Sequence, residues 1–415
     1  MLPVSEAQRR LVAAVGAVEV EVVPVDAAFG RVLAEDVVAE ADVPAWRSSA
    51  MDGYAVRAAD LGAGGGVLPL ADVILAGGWP SGPLPEGAAA AVMTGAPVPE
   101  GADAIIPIEQ SDRSMAGQVR LTAGTMAGRF VRAAGSDVAA GATVLVAGTP
   151  LTPAAAALLA SVGRREVRVG RRPVVVVVTT GDEVVRDGPL RPGQLRSSNH
   201  LALRGLIEEA GAIAIDGGHA PDDPPTLRAV FEAAIGRGDV VVSTGGVSAG
   251  TADHVRPTWA ALGVAELLYK VRMKPGMPVL AGTATRGDRR VLLVGLPGNP
   301  VSTVVTFQQL VRPALRARMG DRAPFLGLLQ AVAAEDLPSA AGRARFERVE
   351  LSLVGGRLEL RRPREQSSHV LSGLATAGAF VLLGPDSPGL AAGELAWVQP
   401  IGGAVPPRAD PGFDW

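Results

Sequence analysis

The stretch RRPVVVVVTTGDE, residues 171–183, sets five consecutive valines, Val174 to Val178, directly before a glycine turn that ends in two carboxylates. An unbroken β-branched run bounded by Pro173 and Gly181 suits a strand buried on both faces of a parallel sheet. DVVVSTGGVSAG (239–250) and RRVLLVGLPGNP (289–300) repeat the arrangement, each carrying an aliphatic strand straight into a glycine-rich loop. Helical patterns fall near 200–210, from Pro225 to Ile235 and over about 301–318, and AIAID (212–216) reads as a further strand. Alternating strands and helices predict a doubly wound α/β domain over 171–320. In such sheets ligands bind beyond the carboxyl ends of the strands, where backbone N–H groups and helix N-termini receive anions. The loops TTGDE, STGGVSAG and GLPGNP are therefore candidates for one shared pocket.

Outward from this core the pattern changes on both sides. Residues 5–16 read as a helix, with Ser5 as N-cap and Gln8 at the capping-box position. From 43 to 140 short strands alternate with Gly and Pro turns (VLPLADVIL, AAAVMTGAPV, ADAIIPI, GQVRL, GRFVRA), which predicts an inserted β-rich domain. Thr152 then caps a second helix with Pro153 at its first position. Helix, β insertion and helix predict a split N-terminal helical/β domain made of 1–42 and 141–170. Beyond 325, RVELSLVGGRLELRR (348–362) alternates with period two across Gly355-Gly356, a hairpin signature, and 325–405 reads as a small all-β module. A Pro-, Gly- and Asp-rich tail, 406–415, follows.

Composition bounds the chemistry. At roughly 150 residues per domain, 415 residues suggest about three domains. Lys plus Arg number 39 against 42 Asp plus Glu, a net charge of -3 that offers no whole-protein attraction to nucleic acid or an anionic membrane. Fifteen aromatics are too few for a single-strand stacking surface. No Cys and four scattered His exclude thiol nucleophiles, disulfides and Cys-ligated zinc, so any metal should be hard and oxygen-liganded. No apolar run approaches a membrane span and the N-terminus lacks a basic start before an apolar stretch, so the expected location is cytoplasmic. GxxxxGK[ST], GxGxxG opening a helix after a strand, and HExxH are all absent. A GxSxG match at Gly246–Gly250 raises a serine-hydrolase alternative with Ser248 as nucleophile. Against it, Ser248 lies several residues past its strand, and the partner His must be His254, almost adjacent, or the distant His369.

The cations are the sharper clue. Only two Lys occur, Lys270 and Lys274, against 37 Arg, and both fall in YKVRMKPG. A compact ammonium with three rotatable donors suits a crowded phosphate or oxyanion site. If 270–274 is extended, Lys270, Arg272 and Lys274 share a face. Asp52, Asp137, Asp182, Glu183, Asp222, Asp223 and Asp253 each sit in or beside a Gly or Pro turn. One loop carboxylate is commonly an Asx-turn former or cap. Asp182, Glu183 and Asp253, however, follow strand-end loops of one domain and could converge near the lysines to hold Mg²⁺ with a phosphorylated ligand.

Six segments resemble one family: SAMDGYAVR (49–57), MTGAPVPEGADAIIP (93–107), TTGDE (179–183), STGGVSAGTADH (243–254), Lys-x-x-x-Lys-Pro-Gly (270–276) and GLPGNPVS (295–302). They are similar, in order and across essentially the whole chain, to the molybdopterin molybdenumtransferase family, whose animal counterpart is the E domain of gephyrin. The resemblance implies a split N-terminal region, an inserted β domain, a central domain like the pterin-adenylylating enzymes and a C-terminal β barrel. It also implies elongated homodimers with a cleft shared between subunits. The implied reaction takes adenylylated molybdopterin, hydrolyses the adenylate with Mg²⁺, and places molybdate on the dithiolene. On that reading the missing Cys makes sense, because the sulfur ligands belong to the substrate.

By motif position the resemblance assigns site roles to Asp52, Thr94 and Asp137, then to Glu183, Asp222, Asp253, Lys270 and Lys274. Arg348 of Phe-x-Arg and Ser368 match positions associated with molybdate or pterin. In the implied mechanism Glu183 and Asp253 hold Mg²⁺, and Lys270 and Lys274 neutralise phosphate or molybdate charge. Gly245, Gly246 and Ser248, with Pro297, Gly298 and Asn299, cradle the ligand, and Asp52 and Thr94 come from the other subunit. A pterin adenylyltransferase and recipient molybdoenzymes are the implied protein partners. The alternative from another class is a non-catalytic pterin-binding or scaffold protein, since gephyrin clusters receptors, but nothing here resembles the linker or extra domain of that role. A pterin adenylyltransferase alone would leave the β domains and MDGYAVR unexplained.

Overall fold

The computed structural model describes residues 1–112, 116–247, 254–363 and 365–401, so the expected tail at 406–415 lies outside the described residues. Its centre is a six-stranded sheet in the order Ile213–Ala220, Val174–Thr180, Val240–Thr244, Arg289–Leu296, Leu280–Arg286, Ala265–Tyr269. The first three pairings are parallel and the last two antiparallel. Helices cover both faces. α1 (Val4–Ala14), α2 (Pro153–Ser161), α3 (Asn199–Glu209), α4 (Pro224–Arg237), α5 (Val255–Ala261), α6 (Pro300–Thr306) and α7 (Arg312–Arg318) follow in chain order, with a π turn, Phe307–Val311, joining the last two. Val175, Val177, Val240 and Val242 pack with α1, α3, α6 and α7, while Val176, Val178 and Val241 pack with α4 and α5. Alternate valines of one strand thus enter opposite cores, which is why the run is continuous rather than alternating.

Two expectations are corrected here. The first helix begins at Val4, not Ser5, with Pro3 at the cap position and no side-chain cap bond, and it ends at Ala14. Tertiary contact sets that start: Leu2 N–H donates to the Lys270 carbonyl at 3.2 Å, and Arg272 N–H donates to the Leu2 carbonyl at 2.7 Å. Glu6 in the first turn then pairs with Arg9 and Arg10. Second, 270–274 is not one extended strand. Its strand ends at Tyr269, and Lys270 has φ 64° because the chain turns to bury Val271 and Met273 fully. Lys270, Arg272 and Lys274 therefore do not form one row.

The β-rich segment folds as a second six-stranded sheet, ordered Ala104–Pro107, Gly53–Val56, Ala89–Val92, Gly66–Ile74, Gln118–Leu121, Ser111–Asp112. Gly53–Val56 was not expected as a strand, yet all four residues are buried. Its glycine is obligatory, since a Cβ at Gly53 would lie 2.1 Å from the Ile106 carbonyl oxygen. Val20–Pro24 pairs antiparallel with Glu166–Gly170, and Val37–Val38 with Thr143–Leu145, tying the chain before the β-rich segment to the chain after it.

At the C-terminal end five strands close a small barrel: Ala344–Val354, Arg357–Arg361, Leu329–Ala333, Leu395–Pro400 and Ala379–Leu383, the last returning to Ala344–Val354. Gly355 and Gly356, at φ 55° and 78°, make the hairpin turn between the paired Val354 and Arg357, a conformation that suits glycine at both positions. Met273–Lys274 adds to the barrel edge beside Ala344 and Arg345, which carries Lys274 from the α/β sheet to the barrel. No helix among the described residues is long and apolar enough to cross a membrane.

Candidate active site

The strand order places Val174–Thr180 between Ile213–Ala220 and Val240–Thr244, so the chain reverses its direction of winding there. Parallel sheets open a crevice at such a point. A cavity of ≈ 590 Å³ lies there, lined by Thr179, Thr180, Glu183, Ser197, Ser198, Asn199, Thr244, Gly245, Gly246 and the turn Pro297-Gly298-Asn299-Pro300. Its backbone leaves no room for side chains. Gly245 has φ 92°, and a Cβ on it would sit 2.7 Å from Thr180 Oγ1; Gly246 has φ 62°, and its Cβ would sit 2.6 Å from Val255 Cγ2. Gly298 is held by Asn199, whose side-chain amide donates to its carbonyl at 2.7 Å. A ligand can thus approach bare peptide groups from both loops.

One carboxylate, Glu183, lines this cavity, and its charge and that of Asp182 reach Asp222. A Cβ at Gly181 would lie 2.6 Å from the Glu183 carboxylate, so glycine there lets Glu183 fold back over its own loop. Asp222 N–H donates to Asp182 at 3.1 Å. Burial, then the charges of Asp182 and Glu183, push the Asp222 carboxyl above its ordinary value. Asp223 instead caps α4, accepting from Thr226 N–H at 3.0 Å and its hydroxyl at 2.6 Å, and those bonds hold its carboxyl below the ordinary value. Among the described residues no group of three His, Asp or Glu stands ready to hold a metal. Asp253 and Ser248 lie outside the described residues.

A second cavity, ≈ 1130 Å³, opens between the sheet and the barrel and shares Pro278, Pro297, Asn299 and His369 with the first. Lys274, Arg343, Arg345 and Arg362 supply cations on its walls, and Glu335, Asp336, Glu347 and Glu365 the opposing charge. Asn299 donates to the Ser368 hydroxyl at 3.0 Å, and Val301 N–H to the Ser368 carbonyl at 3.2 Å, so the two loops are stitched together. Arg348 lines the cavity but is 1% exposed. Its guanidinium donates to the carbonyls of Val370 at 2.5 Å, Glu365 at 3.0 Å and Ser367 at 3.1 Å, and burial pulls it below the usual arginine value. In this geometry Arg348 holds the loop that presents Ser368 and His369.

The remaining expected residues lie elsewhere. Asp52 and Thr94 are exposed and joined: Asp52 accepts from Thr94 N–H at 2.6 Å and Thr94 Oγ1 at 2.8 Å, which holds its carboxyl below the ordinary value. Neither lines the two cavities, nor does Asp137, exposed on a turn with its N–H on the Val43 carbonyl at 3.0 Å. Lys270 is also absent from both walls; its ammonium lies 4.8 Å from the Tyr269 ring centroid. The sequence reading missed Asn199 and the wall role of His369, because both act across long separations. It could have found Arg343 and Arg345, which the period-two pattern puts on one face with Glu347.

Three family models match the chain in series: "MoeA N-terminal region (domain I and II)" over 2–163, "Probable molybdopterin binding domain" over 176–317 and "MoeA C-terminal region (domain IV)" over 330–401. The chain is 37% identical to "Molybdopterin molybdenumtransferase 2" of Mycobacterium tuberculosis, over 95% of this chain and 98% of that protein. It is 33% identical to "Molybdopterin molybdenumtransferase" of Haemophilus influenzae, over 90% and 92%. A crystal structure of the molybdopterin biosynthesis moeA protein from Pyrococcus horikoshii superposes with a TM-score of 0.81 at 28% identity, covering 97% of this chain and all of that one. With the glycine cradle, the paired cavities and these matches along its whole length, the chain belongs to the molybdopterin molybdenumtransferase family, enzymes of the transferase class.

Proposed function

We propose that this chain acts in molybdenum cofactor biosynthesis, taking adenylylated molybdopterin and molybdate, releasing AMP in a Mg²⁺-dependent step and leaving molybdenum on the dithiolene. The observation that carries this reading is the pair of adjoining cavities with a common wall at Pro297, Asn299 and His369. One offers bare glycine amides and hydroxyls at the end of a parallel sheet, suited to a pyrophosphate. The other offers Lys274 and arginines, suited to an oxyanion.

Gly245, Gly246 and the Pro297–Asn299 turn would cradle the ligand with backbone groups, and Asn199 and Ser368 would fix the turn from either side. Water attacks one phosphorus of the anhydride, the bridging P–O bond breaks, and AMP leaves with the pterin monophosphate left behind. The acid cluster supplies only oxygen donors, which fits a hard cation that keeps waters and substrate phosphates as its other ligands. Glu183 with Asp253 would hold Mg²⁺, which supplies charge neutralisation on the pyrophosphate when bound. Lys274 and Lys270 would balance phosphate or oxyanion charge, Lys274 from the cavity wall.

The chain would work in the cytoplasm as a homodimer in which Asp52 and Thr94 complete the partner's cleft. Neither lines either cavity of its own chain, which supports this. The test is AMP release from adenylylated molybdopterin by Glu183→Gln, with ligand retained and hydrolysis lost as the expected result. Normal hydrolysis would remove Glu183 from the reaction. For the shared cleft, mixing Asp52→Ala with Lys274→Ala chains should restore about a quarter of full turnover, the share of intact composite sites in a random two-fold mixture. No recovery in verified mixed dimers would place both residues in one chain's site.

A further inference from the structure

A third cavity, ≈ 660 Å³, lies far along the fold from the glycine loops, where Gly30, Arg31 and the start of α2 meet Arg172, α3 and α7. Four arginines line it. Two have acid partners: Arg31 pairs with Glu21, and Arg316, 8% exposed, bonds Asp321 through Nε at 2.7 Å. The other two do not. Arg172 donates to the Gly211 and Ala212 carbonyls, each at 2.9 Å, and Arg312 to the Pro324 carbonyl at 3.1 Å, and among the described residues neither has a carboxylate partner.

Guanidinium groups desolvated without a carboxylate bonded to them are costly. Burial, then the charge of Arg316, pull Arg312 below the usual arginine value, against the opposing charges of Asp321 and Glu209. Arg31 Nε is buried with no partner at all. α2 begins at this cavity with Thr152 as its cap and Pro153 at its first position, so the positive end of a nine-residue helix adds to the field. Three acids share the walls: Asp321 is paired with Arg316, Glu208 is exposed and held by Arg204 at 3.1 Å, and Glu209 is exposed. The volume falls within the usual range of small-molecule pockets and exceeds what a bare phosphate fills.

We propose that this cavity is a second, non-catalytic binding site for an organic phosphate, whose dianionic group sits between Arg172 and Arg312. Because its walls come from both sides of the seam between the N-terminal region and the α/β sheet, an occupant would clamp the two together. Nothing in this reading depends on the reaction at the glycine loops.

The probe is inorganic pyrophosphate, titrated calorimetrically into full-length Gly245→Ala/Lys274→Ala protein, so that binding at the glycine loops and beside the barrel is weakened. Binding should persist in that background. Adding Arg172→Gln and Arg312→Gln should weaken it about tenfold or more, as expected for removing charge-assisted bidentate contacts. Unchanged affinity in the folded variant carrying all four substitutions overturns the site. Should that variant fail to fold, hydrogen exchange on the unaltered chain decides. Pyrophosphate should slow exchange at residues 28–31 and 210–213, and no change there overturns the proposal equally.

Discussion

Replacing Arg348 by Ala removes three hydrogen bonds from a charged donor to loop carbonyls, those of Glu365, Ser367 and Val370. Hydrogen bonds to charged groups contribute about 1.5–3 kcal/mol each, but the guanidinium is 1% exposed and its desolvation offsets much of that sum. Leaving buried acceptors unpaired typically costs about 1–3 kcal/mol, and we take the upper half of that range for the barrel. If the barrel melts as its own unit, a domain of this size should lose about 10 °C or more in Tm. Arg348→Lys, which keeps charge but not the fork, should fall between. The assay is thermal melting combined with hydrogen exchange at 365–370. The alanine variant should exchange there much faster and should lose oxyanion affinity through displacement of Ser368 and His369. Unchanged melting and unchanged exchange, with activity lost, would refute a positioning role and make Arg348 a direct ligand.

Thr94→Val removes the hydroxyl but not the N–H that Asp52 accepts, so the Asp52 carboxyl should titrate closer to its ordinary value of 3.8. Because the carboxylate form is the favoured one, whatever Asp52 contributes is present above that value and lost as pH falls through its lowered pKa. In the variant the loss should begin at higher pH, and an unmoved midpoint in a carboxyl NMR titration would contradict the hydroxyl's part. Gly245→Ala puts a Cβ 2.7 Å from Thr180 Oγ1 at φ 92° and should cost about 1–3 kcal/mol of strain. Pyrophosphate-ligand affinity should drop with it, and normal affinity would move the cradle elsewhere. Lys274→Ala should raise KM for the oxyanion well above the effect of Lys270→Ala, since only Lys274 lines the cavity. Unchanged turnover in both would remove the lysines from the anion site.

The α/β core was legible because it is written locally: valine runs entering glycine turns need no distant information. The hairpin at Gly355-Gly356 was legible for the same reason. The strand Gly53–Val56 was not, because glycine opposes a strand assignment until the Ile106 carbonyl that requires it is in view. An extended run over Lys270–Lys274 would set three cations on one face, whereas a left-handed φ at Lys270 decides its path. The join between the Pro297–Asn299 turn and Ser368 spans 69 residues between Asn299 and Ser368, and no local pattern encodes such a contact. Arg348 carried a ligand's motif, yet its burial shows what its donors do. Charge type was informative in part: of the two lysines among many arginines, Lys274 lines the barrel cavity and Lys270 lines neither cavity.

The most direct test of the central claim is a coupled one: purified protein with adenylylated molybdopterin, Mg²⁺ and molybdate, following AMP release alongside activation of a cofactor-free molybdoenzyme. The account predicts AMP release that requires both Mg²⁺ and molybdate, with activation rising in step. Tight ligand binding with neither AMP nor active cofactor would contradict it and make the chain a pterin carrier.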